Sequence, residues 1–226
     1  MSTNSEPLRI GLLLFPGFQS LDAFGPIDCL NVLSCDHPLT LSILSHTLDP
    51  VSTRPPQSPH RLGQSVVPTH TFTNAPELDV LLVPGGQGTR LVDSVEIKSA
   101  IKFIGDVYPK LKWLITVCTG SSLASRAGVL DGRKATTNKA VFNEAESWVS
   151  DDGKKGEGVE WVAKARWVVD GNVWTSSGVS AGIDVLLAWM ESVYGESVAR
   201  GVTEAIEYSR HTEAGDDPFA QLYRLV

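Results

Sequence analysis

Read from its N-terminus, the chain repeats one pattern: a short apolar run without polar alternation, a turn, then a stretch with helical spacing. Leu8 to Phe15 is the first such run, closed by Pro16-Gly17. A strand lacking alternation is one buried on both faces, as in parallel sheets. Leu21 to Leu33 follows with helical spacing, and Pro26 would be tolerated best in its first turn. Leu39 to Leu44 predicts a second strand, and Asp49 to Pro68, rich in Pro, Ser and Arg, an irregular surface excursion.

The pattern then recurs. Asp79 to Val83 reads as a buried strand stopped by Pro84-Gly85-Gly86, and a helix is expected from Ser94 to Tyr108. Trp113 to Val117 predicts a strand that runs straight into Cys118. Ser121 to Ala127 predicts a helix, with Gly128 as its left-handed cap. Lys134 to Thr137 reads as a short strand, Ala140 to Val149 as a helix, and Asp151 to Gly158 as a solvated loop. Glu160 to Val169 and Asn172 to Thr175 flank Asp170-Gly171, a hairpin signal. Ser180 is placed to cap a helix with apolar face Ile183, Leu186, Leu187, Met190 and Tyr194, ended by Gly195, and a last helix runs from Glu196 to Ser209. No internal repeat or linker divides the chain. The reading is one α/β domain over residues 8–210, a three-layer sandwich whose mostly parallel, twisted sheet has helices on both faces. Residues 1–7 and 211–226 are taken as terminal extensions.

Composition narrows the partners. The 226 residues carry 19 basic and 26 acidic side chains, a net charge of −7. That balance argues against a broad grip on nucleic acid or attachment to an anionic membrane surface. No apolar run approaches the roughly 18–20 residues that cross a bilayer, and Met1 to Arg9 lacks the order of a signal peptide. The three cysteines, Cys29, Cys35 and Cys118, form no CxxC pair, so a reducing, cytoplasmic setting is expected. No metal site is expected either, because Cys35-x-His37 has no matching pair.

Cys118 is the most informative residue. It stands where a buried strand meets a helix opening with Thr119-Gly120-Ser121, at the sheet edge where open α/β proteins bind ligands. Sulfur at a helix N-terminus is expected to favour the thiolate. The bland reading is a buried cysteine serving as a small hydrophobe. Asp22 lies beyond the first strand at the same edge. A carboxyl in a partly dry cleft has a raised pKa and can carry a proton, although an aspartate in a first helical turn needs no such role. Gly85 and Gly86 are either a tight turn or half of an oxyanion site through free N–H groups, with the Thr119 N–H as the other half. None of His37, His46, His60, His70 or His211 adjoins Cys118 in sequence.

Four segments together resemble one superfamily. They are Thr116 to Ser121 with Ala127 to Thr137, Leu14 to Pro26, Asp79 to Gly88, and Ser177 to Asp184. The chain resembles the ThiJ/PfpI superfamily, with its flavodoxin-like, class I glutamine amidotransferase-like fold, over residues 8 to about 208. Within it, Cys118-Thr119 and Asp22 look most like the isocyanide (isonitrile) hydratase branch. The resemblance implies that Cys118 attacks the isocyanide carbon and Asp22 is the general acid/base. It also implies that Thr119 positions the Asp22 carboxyl or a water, and that Gly178 and Val179 line the pocket. It further implies a small-molecule substrate, no cofactor or metal, and a homodimer. Two departures stand out: that branch commonly reads Ala-Thr-Thr-His-Trp where this chain reads Ala135-Thr136-Thr137-Asn138-Lys139, and the Asp151 to Gly158 loop looks longer and more charged than is typical of it. A glyoxalase- or deglycase-like activity on methylglyoxal, or a non-enzymatic sensor oxidised at Cys118, are the competing readings.

Overall fold

Where the apolar runs lack alternation, the chain is extended and buried in the computed structural model, which describes residues 6–58, 60–148 and 158–226. β1 (Leu8–Leu13), β6 (Val80–Val83), β7 (Trp113–Thr116) and β11 (Val173–Ser176) form the centre of a seven-stranded sheet. Beside them lie β2 (Leu39–Ser45), the two-residue edge strand β5 (His70–Thr71) and β10 (Trp167–Asp170). The order is β10-β11-β7-β6-β1-β2-β5, and every pairing is parallel except β10 with β11. All four side chains of β6 and of β11 are buried, as strands covered on both faces require.

Two helical layers supply that cover. α1 (Ser20–Leu33), α4 (Ala181–Tyr194) and α5 (Glu196–Ala205) pack together, while α2 (Val95–Val107) packs with α3 (Gly120–Arg126). Gly25 permits the α1–α4 approach, since a Cβ there would stand 2.9 Å from Ile183 Cγ1. Ser94 caps α2 by accepting from the Ile97 N–H, and Gly128 takes the expected left-handed conformation at φ +76°. The three-layer α/β sandwich is as expected. Read along the sheet, β2-β1-β6-β7-β11 is a doubly wound order that reverses beside β1, opening a crevice at the carboxyl ends of the strands.

Several local expectations need correction. α1 begins at Ser20, so Pro26 lies in its second turn. The excursion from Asp49 to Pro68 contains a small antiparallel ladder, β3 (Val51–Ser52) with β4 (Ser65–Val66). Instead of an α-helix, Lys139–Ser147 is 3₁₀ helix kinked at Val141. The span from Glu160 to Val169 is broken: β9 (Glu160–Trp161) pairs with β8 (Lys134–Ala135), and only β10 continues into the hairpin. That hairpin turns at Gly171-Asn172, one residue later than Asp170-Gly171. The Ser180 hydroxyl leaves α4 uncapped and accepts from Arg166 Nη2 at 3.1 Å. A further helix, α6 (Pro218–Leu222), forms within 211–226, where Asp217 and Ala220 are buried. Except for Gly158, the loop expected at Asp151 to Gly158 lies outside the described residues.

Gly120 fixes how closely α3 meets the sheet. A Cβ at this position would stand 2.2 Å from the Val83 carbonyl oxygen and 2.9 Å from that of Pro84. No side-chain rotation relieves a clash with backbone. Gly120→Ala is therefore expected to cost about 2–3 kcal/mol, lowering Tm by roughly 6–10 °C in a thermal melt. An unchanged Tm would show that the turn has slack.

Candidate active site

β7 delivers Cys118 to the crevice through a strained turn. Val117 still holds sheet register, donating to the Val83 carbonyl at 3.0 Å, but Cys118 has φ +57°. A non-glycine residue is disfavoured there by about 1–2 kcal/mol, so the surroundings must hold it. The Cys118 N–H donates to the Ser177 carbonyl at 3.1 Å, and its own carbonyl accepts from Ser121 Oγ and Thr137 Oγ1, each at 3.0 Å. This strand–turn–helix elbow lifts the thiol off the sheet. The residue is only 5% exposed.

Asp22 comes from the first turn of α1, beyond the end of β1. Its Oδ2 accepts from the Gly85 N–H at 3.0 Å, whereas Oδ1 is buried with no aligned hydrogen bond. Burial pushes the carboxyl up to about 7, against the opposing pull of the Gly85 N–H and the Cys118 thiol. The raised carboxyl agrees with the sequence reading. The expected thiolate does not hold, because the thiol is pushed up to about 12 by burial and then by the Asp22 charge. α3 has only seven residues, and its N-terminus does not outweigh that desolvation. Burial thus favours the neutral thiol.

The glycine turn is built differently from expectation. Gly85 and Gly86 offer no free N–H: the first serves Asp22, and the second donates to Thr119 Oγ1 at 2.9 Å. In this structure both donors of the pair are therefore engaged. The Thr119 hydroxyl also accepts from Thr89 Oγ1 at 3.2 Å, so it stitches the glycine turn and steers Asp22 only through Gly85. The backbone N–H groups that do reach the Cys118 sulfur, and favour its anion, are those of Thr119 and Val179. The Thr119 N–H at the start of α3 and the Val179 N–H on the β11–α4 turn thus both face the sulfur. Val179 has φ +44°, a second strained residue facing the same atom.

Asn138 is the site residue that sequence reasoning missed. Its Nδ2 donates to Cys118 Sγ at 3.2 Å, while the Ala140 N–H, at 2.8 Å from Oδ1, fixes which way the amide points. Gly178 makes room for it, since a Cβ there would come within 2.6 Å of Nδ2. The only signal was the departure at Asn138-Lys139 from the pattern of the resembled branch. Next to this corner lies a cavity of about 240 Å³ whose lining includes Asn138, Gly178 and Val179. Among the described residues, no cluster of three or more His, Cys, Asp or Glu is arranged to hold a metal ion. Likewise, no helix among them is long and apolar enough to cross a membrane.

A doubly wound sheet that converges four strand ends on one strained, hydrogen-bonded cysteine defines a class of thiol-centred α/β sandwich. Residues 8–192 match the DJ-1/PfpI family, and the chain belongs to that family. It is 34% identical to isonitrile hydratase from Pseudomonas putida over 202 residues, 89% of this chain and 79% of that protein. It is 36% identical to a deglycase from Pyrococcus horikoshii over 130 residues, 57% of this chain and 69% of the other. Among solved structures, a ThiJ/PfpI family protein from Pseudomonas syringae superposes with a TM-score of 0.71 at 26% identity, covering 98% of this chain and 86% of that one.

Proposed function

We propose that this chain hydrates isocyanides to N-substituted formamides, with Cys118 as nucleophile and Asp22 as its proton carrier. The observation that carries the reading is the placement of the buried Cys118 thiol beside the buried Asp22 carboxyl, whose Oδ1 makes no aligned hydrogen bond. As the Cys118 sulfur bonds to the terminal carbon, its proton passes through Asp22 to that carbon, giving a thioimidate, R–N=CH–S–Cys. Water then adds to the same carbon, with Asp22 moving one of its protons to nitrogen. Breaking the C–S bond releases R–NH–CHO and restores the thiol. Asn138 and the N–H groups of Thr119 and Val179 favour anionic sulfur at the moment it attacks and again when it leaves. We place the homodimer contact on α1, where Leu21 and Phe24 present apolar surface to solvent.

The test is formamide formation from a simple aryl isocyanide, followed against pH. Attack needs Asp22 ionised, so kcat/KM is expected to rise about tenfold per pH unit below about 7 and to level above it. No formamide at any pH would overturn the reaction. The similarity to a deglycase supports a second reading, and turnover of methylglyoxal without formamide would establish it.

A further inference from the structure

The C-terminal segment is tied to the walls of the Cys118 corner by buried polar contacts. The His211 N–H donates to Asp184 Oδ1 at 3.0 Å, and the Arg166 N–H donates to the Ala214 carbonyl at 2.7 Å. Arg166 pairs with the same Asp184 through Nη2 at 2.9 Å, both side chains being buried. Further along, Lys139 Nζ stands 3.6 Å from Asp217 Oδ2, with side chains 1% and 0% exposed. Asp217 in turn caps α6 by accepting from the Phe219 N–H at 2.9 Å. Lys139 directly follows Asn138, whose amide meets the sulfur, so the strap is fastened one residue from a side chain that touches Cys118.

That fastening sets Phe219 of α6 and Tyr223, the residue that ends this helix, against the 240 Å³ cavity. The inner wall of this cavity is Asn138 and Val179, the residues that contact the thiol. Both aromatic residues are nearly half exposed, Phe219 at 45% and Tyr223 at 47%. The cation in the lining, Lys139, is committed to Asp217, to Thr136 Oγ1 at 2.7 Å and to the Thr137 carbonyl at 3.1 Å. The cavity therefore offers no counter-charge to a carboxylate or phosphate. Its volume is below that of sites for drug-sized ligands, and suits a single ring.

We propose that residues 217–223 form the specificity wall of the Cys118 site, and that the substituent selected there is one flat aromatic group. The proposal rests on Cys118 being the reacting nucleophile, so its test separates the wall from the reaction. Cys118 of the full chain is alkylated with iodoacetamide or with its N-phenyl analogue. A sulfur–carbon bond forms as carbon–iodine breaks, and the thiol proton passes to Asp22 or buffer. Peptide mass spectrometry follows Cys118 separately from the exposed Cys35, and each rate is divided by that of the same reagent with glutathione.

The N-phenyl reagent is expected to be favoured at Cys118 in the wild type. Phe219→Ala and Tyr223→Ala, which remove half-exposed rings and leave the fold intact, are expected to cut that preference roughly tenfold. No preference in the wild type, or one unchanged in both variants, overturns the wall. If the preference appears and falls in the variants but no isocyanide gives formamide, the wall stands and the hydratase reading fails. If formamide forms with equal kcat/KM from methyl and phenyl isocyanide, the reaction stands and the wall fails.

Discussion

Cys118→Ala is expected to remove turnover, by roughly 10⁴-fold or more, and to leave the protein folded. In the proposed mechanism the activity loss follows because Asp22, Asn138 and Thr119 would act on the substrate only through protons and hydrogen bonds. The stability result is less obvious. Alanine keeps the Cβ, and the strained backbone at φ +57° is no worse for alanine than for cysteine. The sulfur's hydrogen bond from Asn138 is lost, which costs about 1 kcal/mol, but the amide sits beside the cavity and can turn to water. Removing the thiol also takes away a buried neighbour of the Asp22 carboxylate. The expected change in unfolding free energy is within about 1 kcal/mol, read from urea titration with circular dichroism. A variant that retains turnover would make Cys118 a core residue. One that fails to fold would make it a structural keystone.

The fold was legible where burial on both faces leaves its mark on composition. Val80–Val83 and Trp113–Thr116 contain few polar side chains because both faces of the sheet are covered, and their places could be read directly. Pattern failed where backbone geometry depends on contacts made elsewhere. Lys139–Ser147 has helical spacing, yet Asn138 is drawn toward Cys118 and Lys139 toward Asp217, and the segment settles as kinked 3₁₀ helix. Residues 211–217 look polar and unpatterned because they are held by Asp217 and His211 through charges and amides instead of an apolar stripe.

The chemistry divides the same way. Cys118 and Asp22 stand beyond strand ends, and topology alone carries them to one edge. Which N–H faces the sulfur is settled by hydrogen bonds between distant segments. Gly85 and Gly86 looked available until Asp22 and Thr119 were seen to occupy them, across 63 and 33 residues of sequence. The misjudged thiolate has a related cause: a helix N-terminus can be read from sequence, whereas the burial that opposes it cannot.

Asp22→Asn is expected to lower kcat/KM by about 10³-fold while making the protein more stable at pH 8. Asparagine can still accept the Gly85 N–H, so the turn survives, but its amide cannot take the thiol proton. The stability gain follows from linkage. In the folded chain the carboxyl titrates near 7, against 3.8 for its ordinary value. Below about pH 4 it is protonated in both states and burial of charge costs nothing. As pH rises toward 7 the unfolded chain ionises freely and the folded one resists, so the wild type loses stability through that window and stays at the lower level above it. The full span corresponds to about 4 kcal/mol, and the unsatisfied amide of the variant returns about 1–2 kcal/mol. A net gain of about 2 kcal/mol is therefore expected at pH 8, turning into a deficit near pH 4. Urea titrations of both proteins at the two pH values make the check, and the crossing of the stability curves is its signature. A variant weaker at both pH values would mean that the carboxylate is better solvated than its burial implies. Retention of wild-type turnover would remove Asp22 from the mechanism.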